Sequence, residues 1–208
     1  MKCHHCQNDA LYKCSLCGHL LCSEHTQFRT ICPEHKKKAT LCYTIKEKAT
    51  CDKAEIRQIV EKFWGEDEQL THDRTFDVLD LSGYVAKTKE GLVGFVSTGE
   101  IGDEILIVAL GVLPEYQSLG IGKALVKKVE DAAFRMKKRR LLVSTSNDDL
   151  PALAFYQSIG FQIYEVNPSV IALKHGKVIS GIGGLPVRDE LRLQKRVQNE
   201  REKTPQKD

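Results

Sequence analysis

Val112-Leu-Pro-Glu-Tyr-Gln-Ser-Leu-Gly-Ile-Gly122 joins an apolar run to an amphipathic segment through a glycine-spaced turn. The run before it, Ile105 to Val112, is apolar except for Gly111, as a strand buried on both faces should be. Pro114 ends that strand. The segment after it keeps Ile121, Leu125, Val129, Ala132, Ala133 and Met136 on one stripe and sets Lys123, Lys127, Lys128, Glu130 and Lys137 elsewhere, which predicts a helix with one buried face. A strand, a tight turn and a helix opening on Gly120 and Gly122 aim unpaired backbone N–H groups and the positive end of a helix dipole at one point. An anion can sit there, and glycine lets a diphosphate approach the backbone without meeting a Cβ. A glycine-bearing helix start is also an ordinary feature, so the neighbouring sequence has to decide.

Upstream, Leu41 to Ile45 reads as a strand, and Glu55, Ile56, Ile59, Val60, Phe63 and Trp64 give a helix with an apolar face, closed by Gly65. Glu66 to Asp77 is acidic and reads as irregular. Tyr84 to Ala86 and Gly91 to Ser97 read as two strands joined at Lys89, Glu90 and Gly91. Downstream, Arg140 to Thr145 is a short buried strand, and Asn147 and Asp149 offer turn and cap chemistry before a helix over Ala152 to Ser158 that Gly160 stops. Phe161 to Val166 begins another strand. Val187, Leu191 and Leu193 alternate with Arg188, Glu190 and Arg192, as in a last strand. From Gln194 onward the chain is polar and reads as a disordered tail. Cys42 and Cys51 read as small core residues, and His72 and His175 as loop residues without a role.

Gln117-x-x-Gly120-x-Gly122, within VLPEYQSLGIGKAL, resembles the acetyl-CoA pyrophosphate loop of the GNAT N-acetyltransferases, and TSNDDLPALAFYQSIGF, Thr145 to Phe161, is similar to that family's second landmark. The resemblance runs from about Leu41 to Leu193 and implies an α/β (α+β) mixed sheet flanked by helices. It implies that Leu110, Gly111 and Val112 face the pantetheine arm of acetyl-CoA, with a backbone N–H near Val112 as oxyanion donor and a bulge at Gly111. Gln117, Ser118, Leu119, Gly120, Ile121, Gly122 and Lys123 would hold the pyrophosphate, and Asn147 would touch the cofactor. Tyr156 matches the tyrosine that protonates the departing thiolate; without the upstream motif it would read as an ordinary amphipathic helix residue. Two positions where the family often carries glutamate hold Leu106 and Leu142 instead. Glu104, on the same face two residues before Leu106, is the candidate general base acting through water, although it also fits a solvated strand end. A base from Glu66 to Asp73, or cofactor binding without turnover, fits the sequence as well.

The first 38 residues are a separate module. Cys3, Cys6, Cys14, Cys17, Cys22, His25, Cys32 and His35 form four pairs, each with a two-residue gap. Such gaps let two side chains grip one ion, and eight ligands make two tetrahedral zinc sites of three sulfurs and one nitrogen. A disulfide framework would use the cysteines but not the histidines. The order of pairs resembles cross-braced B-box and HIT fingers, which implies Cys3, Cys6, Cys22 and His25 on one zinc and Cys14, Cys17, Cys32 and His35 on the other. Spacing alone also permits sequential pairing. His4, His5 and His19 read as exposed neighbours of the ligands. A module this small folds on its metal, so the zinc ions are expected to be structural and the finger to dock a protein partner. Lys36-Lys37-Lys38 reads as a solvated linker.

The 41% hydrophobic and 28% charged fractions are those of an ordinary globular chain. No apolar run reaches the roughly 20 residues that span a bilayer, and the N-terminus does not read as a signal peptide, so a cytoplasmic protein without membrane contact is expected. Residues 1–38 carry six Lys/Arg and three Asp/Glu; binding two Zn²⁺ through six thiolates brings them to about +1, which argues against nucleic acid. The expected organisation is a finger over 1–38, an acetyltransferase domain over 39–193 and a tail over 194–208. The expected function is transfer of acetyl from acetyl-CoA to an amine, protein or small molecule, by direct attack in a ternary complex. The alternative is a catalytically weak or inactive acetyl-CoA-binding adaptor recruited through the finger.

Overall fold

The computed structural model describes residues 2–4, 6–10, 12–13, 20–22 and 42–197. Cys14, Cys17, His25, Cys32 and His35, the lysine run and the sequence beyond Val197 lie outside the described residues. Near the N-terminus, β1 (Tyr12–Lys13) pairs antiparallel with β2 (Leu20–Leu21), and Lys2 bridges Asp9. The chain then runs through β3 (Thr44–Glu47), α1 (Lys53–Phe63), β4 (Glu68–Thr71), β5 (Arg74–Asp77), β6 (Ser82–Thr88), β7 (Gly91–Ile101) and β8 (Glu104–Val112). After these come α2 (Ile121–Arg135), β9 (Arg140–Ser146), α3 (Leu150–Ser158), β10 (Gln162–Asn167), α4 (Val170–Lys174), β11 (Ile179–Ser180), β12 (Pro186–Val187) and β13 (Glu190–Arg196).

Seven strands form one sheet in the order β10-β13-β9-β8-β7-β6-β3. Neighbours are antiparallel except β8 and β9, which α2 connects as a parallel crossover requires. One face buries Ile105, Ile107, Leu141, Val143 and Leu193 against Ile121, Leu125, Val126, Val129 and Ala133 of α2. The other buries Val85, Phe95 and Ala109 against Ile56, Ile59 and Val60 of α1. Each fully buried aliphatic side chain contributes roughly 1.5–3 kcal/mol, so α2 and the β8–β9 pair lock each other in place.

Several expectations change. Met136 lies just past the end of α2 and is 48% exposed, while Val126 and Glu130 join the buried face, Glu130 through an ion pair to Lys195 of β13 at 3.0 Å. Cys42 and Cys51 are exposed rather than in the core. The acidic stretch is not irregular: β4 and β5 form a hairpin turning on His72 (φ 50°) and Asp73 (φ 60°). Positive φ at both central residues matches a two-residue hairpin turn, which Asn-Gly would have advertised better than His-Asp. The last strand runs to Arg196, past the expected domain boundary at 193, because Arg140 to Val143 pair with it through Arg196. The expected bulge at Gly111 sits instead at Val108, between the pairs Ser97–Ala109 and Thr98–Ile107. Gly111 is small for another reason: a Cβ there would stand 3.0 Å from both Ile59 and Phe95.

Candidate functional site

The parallel pairing of β8 with β9 stops at Ile107–Val143. Past that point β8 stays paired with β7 as far as Val112, and β9 stays paired with β13 as far as Ser146. The two strands therefore part, and the β9-facing edge of 108–112 has no strand partner among the described residues. The bulge at Val108 bends β8 at the place where the parting begins. The result is a slot, closed at Val108 and Ser144, that opens toward the glycine turn.

The turn at the open end is braced from within. Leu113 N–H donates to Val93 O at 2.9 Å, Tyr116 O–H donates to Glu90 at 2.9 Å, and the Gln117 amide donates to Val112 O at 2.8 Å. Ser118 (φ 60°) and Gly120 (φ 83°) take left-handed backbone, and α2 starts at Ile121. Its first helical bond is Ala124 N–H to Gly120 O, so the N–H groups of Ile121, Gly122 and Lys123 precede that ladder. No acidic side chain stands in the first turn of α2 to compete for them. At Gly120 a Cβ would meet nothing within 4 Å, whereas at Gly122 it would come to 3.4 Å from Phe155.

The end of β8 from Leu110 to Val112 and the turn share one cavity of about 250 Å³. One wall is Leu110, Gly111, Val112, Gln117, Ser118, Gly120, Gly122 and Lys123; the other is Pro151, Ala152, Phe155, Tyr156 and Ser158 of α3, with Phe63 of α1. The volume is just below the roughly 300–1,000 Å³ of pockets that enclose a whole small ligand, so it suits an extended arm. Asp149 caps α3 by accepting from Ala152 N–H at 3.0 Å. Tyr156, 6% exposed, stacks edge-on with Phe155 and Phe161.

Nine of the expected ligand-facing and catalytic residues thus line one cavity: Leu110, Gly111, Val112, Gln117, Ser118, Gly120, Gly122, Lys123 and Tyr156. Four do not. Ile121 is buried in the core and Leu119 packs against it, which leaves only their backbone for a ligand. Asn147 spends its amide on the β12–β13 connection, donating to Pro186 O and accepting from Arg188 and Asp189 N–H. Glu104 is the first residue of β8, paired with Arg140. At about 3.3 Å per residue it lies roughly 13 Å along β8 from Val108.

A polar cluster on the α1 side of the sheet is not foreshadowed by any motif. The tip of the β4–β5 hairpin lies over β9, β10 and β13. There Arg192, 7% exposed, donates to Glu190 at 2.9 Å, Asp73 at 3.0 Å and Glu165 at 3.2 Å. Burial opposes its charge, but the bonds to Asp73 and Glu190 outweigh that and hold its pKa above the ordinary arginine value. Thr71 Oγ1 lies 2.6 Å from Ser144 Oγ and 2.9 Å from His72 Nδ1, and His72 Nε2 lies 3.1 Å from Tyr164 Oη. The alternation along β13 was the one available signal, and it reads as a solvated polar face.

Three of the eight expected metal ligands are described. The sulfurs of Cys3, Cys6 and Cys22 lie within 4.8 Å of one another, and Cys6 Sγ is 3.7 Å from Cys22 Sγ. Two Zn–S bonds of about 2.3 Å at a tetrahedral angle set sulfurs roughly 3.8 Å apart. The donor set therefore fits zinc, and it joins the first cysteine pair to the third.

The chain is similar to known proteins in sequence and in fold. The model of the acetyltransferase (GNAT) family matches residues 53–161. YdhI of Bacillus subtilis (strain 168), an uncharacterised protein, is 30% identical over 148 residues, which are 69% of this chain and 91% of YdhI. A Bacillus subtilis acetyltransferase solved in complex with CoA superposes with TM-score 0.56 at 21% identity, covering 76% of this chain and 100% of that one. Ard1 from Thermoplasma volcanium superposes with TM-score 0.61 at 19% identity, covering 76% and 99%.

Proposed function

Because the chain belongs to the GNAT family of acetyltransferases, we propose that it moves acetyl from acetyl-CoA to an amine that attacks directly. The observation that carries this reading is the parting of β8 and β9 past Ile107–Val143, beside a cavity that runs from Leu110 to Val112 through the glycine turn to Tyr156. The backbone N–H groups of Gly120 to Lys123 hold the diphosphate at the helix start. The unpartnered edge of β8 from Val112 back to Val108 takes the amide-bearing arm as an added strand would be taken. An extra residue at a bulge leaves backbone groups unpaired, so we assign the oxyanion donor to the bulge at Val108 rather than to Val112. Acetyl-CoA, when bound, supplies the thioester. Tyr156 donates the proton that the departing sulfur takes up. Among the described residues no cysteine lines the cavity to accept the acetyl group, which favours a ternary complex over an acyl-enzyme.

The N-terminal module serves this activity as a docking finger. Its two zinc sites, Cys3, Cys6, Cys22 and His25 in one and Cys14, Cys17, Cys32 and His35 in the other, are closed by four protein ligands each and so are structural. The closeness of Cys3, Cys6 and Cys22 supports the cross-braced pairing.

The test is release of CoA from acetyl-CoA by the zinc-loaded chain, offered an N-terminal peptide amine, a lysine peptide and spermidine, beside calorimetric titration of acetyl-CoA. Acceptor-dependent release with intersecting initial-velocity lines is expected, and Tyr156→Phe should lower it about 10²-fold at unchanged acetyl-CoA affinity. Parallel lines would refute direct attack. One observation favours a second reading: Leu106 and Leu142, at the strand positions where the family resemblance implies a carboxylate, are buried and apolar. Acetyl-CoA binding without release for any acceptor would make the chain an acetyl-CoA-binding adaptor.

A further inference from the structure

We propose that Ser144, Thr71 and His72 form a proton relay that carries the acceptor's proton from the closed end of the slot to solvent, with His72 as its base. The inference rests on the acyl-transfer reading above. Ser144 is the first residue of β9 past the last pair with β8, and Val108 is its counterpart on β8. Ser144 bonds the hairpin through Thr71, and Val108 packs on the same, α1, side of the sheet; on the acyl-transfer reading the amine meets the thioester between them. From Ser144 Oγ a chain leads outward: 2.6 Å to Thr71 Oγ1, which also has Glu190 Oε1 as an acceptor at 3.4 Å, 2.9 Å on to His72 Nδ1, and 3.1 Å from Nε2 to Tyr164 Oη, whose residue is 40% exposed. Each link is a group that both donates and accepts.

The hairpin tip is held for this purpose. Arg192 bonds Asp73 in the turn, and Glu190 accepts from His72 N–H at 3.2 Å. The groups facing the imidazole are Arg192 and Glu190 of β13, Glu165 and Tyr164 of β10, and Asp73 beside it. Burial, then Arg192, lowers the His72 pKa against the three carboxylates. The ring is therefore neutral near pH 7 and free to accept.

In the step itself, the amine gives its proton to Ser144 Oγ as Ser144 passes its own to Thr71 and Thr71 passes its own to His72 Nδ1. The C–N bond forms, the C–S bond breaks, and Tyr156 supplies the proton taken up by sulfur. The imidazolium then loses its Nε2 proton past Tyr164 to water, and proton exchange with solvent returns the ring to the Nε2–H form before the next turnover. This direction requires one tautomer: Nε2–H, with Nδ1 accepting from Thr71.

Nitrogen-15 NMR of the imidazoles in the zinc-loaded full chain decides the direction, with His72 assigned by difference against His72→Gln. The expected result is an Nε2–H tautomer at pH 7 whose Nδ1 signal moves in Thr71→Val. An Nδ1–H tautomer, or a signal indifferent to Thr71→Val, overturns the relay. With any acceptor that supports turnover, Ser144→Ala, Thr71→Val and His72→Gln should each lower kcat about 10²-fold, and the double variant Thr71→Val/His72→Gln no further. The acidic limb of the pH profile should vanish in His72→Gln, while acetyl-CoA affinity stays unchanged in all variants. Independent, multiplying losses or an unmoved acidic limb would reduce these residues to structural ones. Acetyl-CoA binding without release from the wild-type chain would sink the amine-transfer reading instead, and the tautomer would still judge the chain of bonds.

Discussion

Replacing Gly120 by glutamate separates the anion seat from every other role of the turn. A side chain at Gly120 projects into open space, with nothing within 4 Å of its Cβ, but the backbone there is left-handed at φ 83°. Alanine at such a position costs about 1–2 kcal/mol, a loss of roughly 2–8 °C in Tm for a chain of this size. Gly120→Ala is thus the control that carries strain without charge. Gly120→Glu adds a carboxylate at the mouth of the cavity. A carboxylate about 5 Å from one phosphate charge, at an effective dielectric of about 20, is repelled by roughly 3.3 kcal/mol, which is about a 200-fold loss of affinity. Calorimetric titration of CoA into the three proteins at low salt measures the effect, with zinc content by atomic absorption as a check on the finger. The glutamate variant should bind about 200-fold more weakly than the alanine variant, the gap should narrow as salt screens the charges, and zinc content should not change. Equal affinity of the two variants would show that the diphosphate does not sit on this turn.

Three further outcomes follow from the geometry. Arg192→Met leaves Glu190, 3% exposed, without its cation, so urea unfolding should show a loss of about 3–5 kcal/mol, and less when Glu190→Gln is added. In the finger, Cys6→Ser/Cys22→Ser should lose one equivalent of zinc if both sulfurs share an ion, as their 3.7 Å separation indicates; loss of both equivalents would favour sequential pairing. Lys48, whose ammonium donates to Val78 O at 2.6 Å and Ser97 Oγ at 3.1 Å, has its pKa lowered by burial to about 8. The unfolded chain then binds more protons than the folded one between about pH 8 and 10.5, so wild type should gain stability over that range relative to Lys48→Met. A pH-independent difference between their urea midpoints would contradict it.

What was legible in the sequence was local. Ile105 to Val112, the stripe through Leu125 and Val129, and the cap at Asp149 are each decided within a dozen residues, by burial on both faces, by helical period and by a side chain bonding the next turn. The cavity was legible for the same reason, since most of its phosphate-facing wall is one continuous segment. Asn147 does not line the cavity because its amide answers a distant need, the two N–H groups of Arg188 and Asp189 that turn the chain into β13. Glu104 stands apart from the cavity because a shared strand face says nothing about distance along the strand, and Arg140 pairs across from it in the parallel register.

The polar cluster was illegible because its members are recruited from four places in the chain. Thr71 and His72 come from a hairpin, Ser144 from β9, Tyr164 and Glu165 from β10, and Glu190 and Arg192 from β13. Along β13 alone, Glu190 and Arg192 match a solvated face as well as a buried one, because alternation reports two sides and not what covers them. What covers them is the hairpin, and the hairpin was the segment read as irregular. A buried ion cluster is weak evidence for stability in itself. Here its geometry has a consequence that stability does not demand: Asp73 and the His72 N–H are both tied down to β13, which fixes the imidazole between the solvent-facing Tyr164 and the hydroxyls that lead to the slot. The apolar Leu106 and Leu142 then need not mean a missing base. A carboxylate on either strand would sit under the same hairpin, and in its place the fold brings the proton acceptor from the hairpin itself.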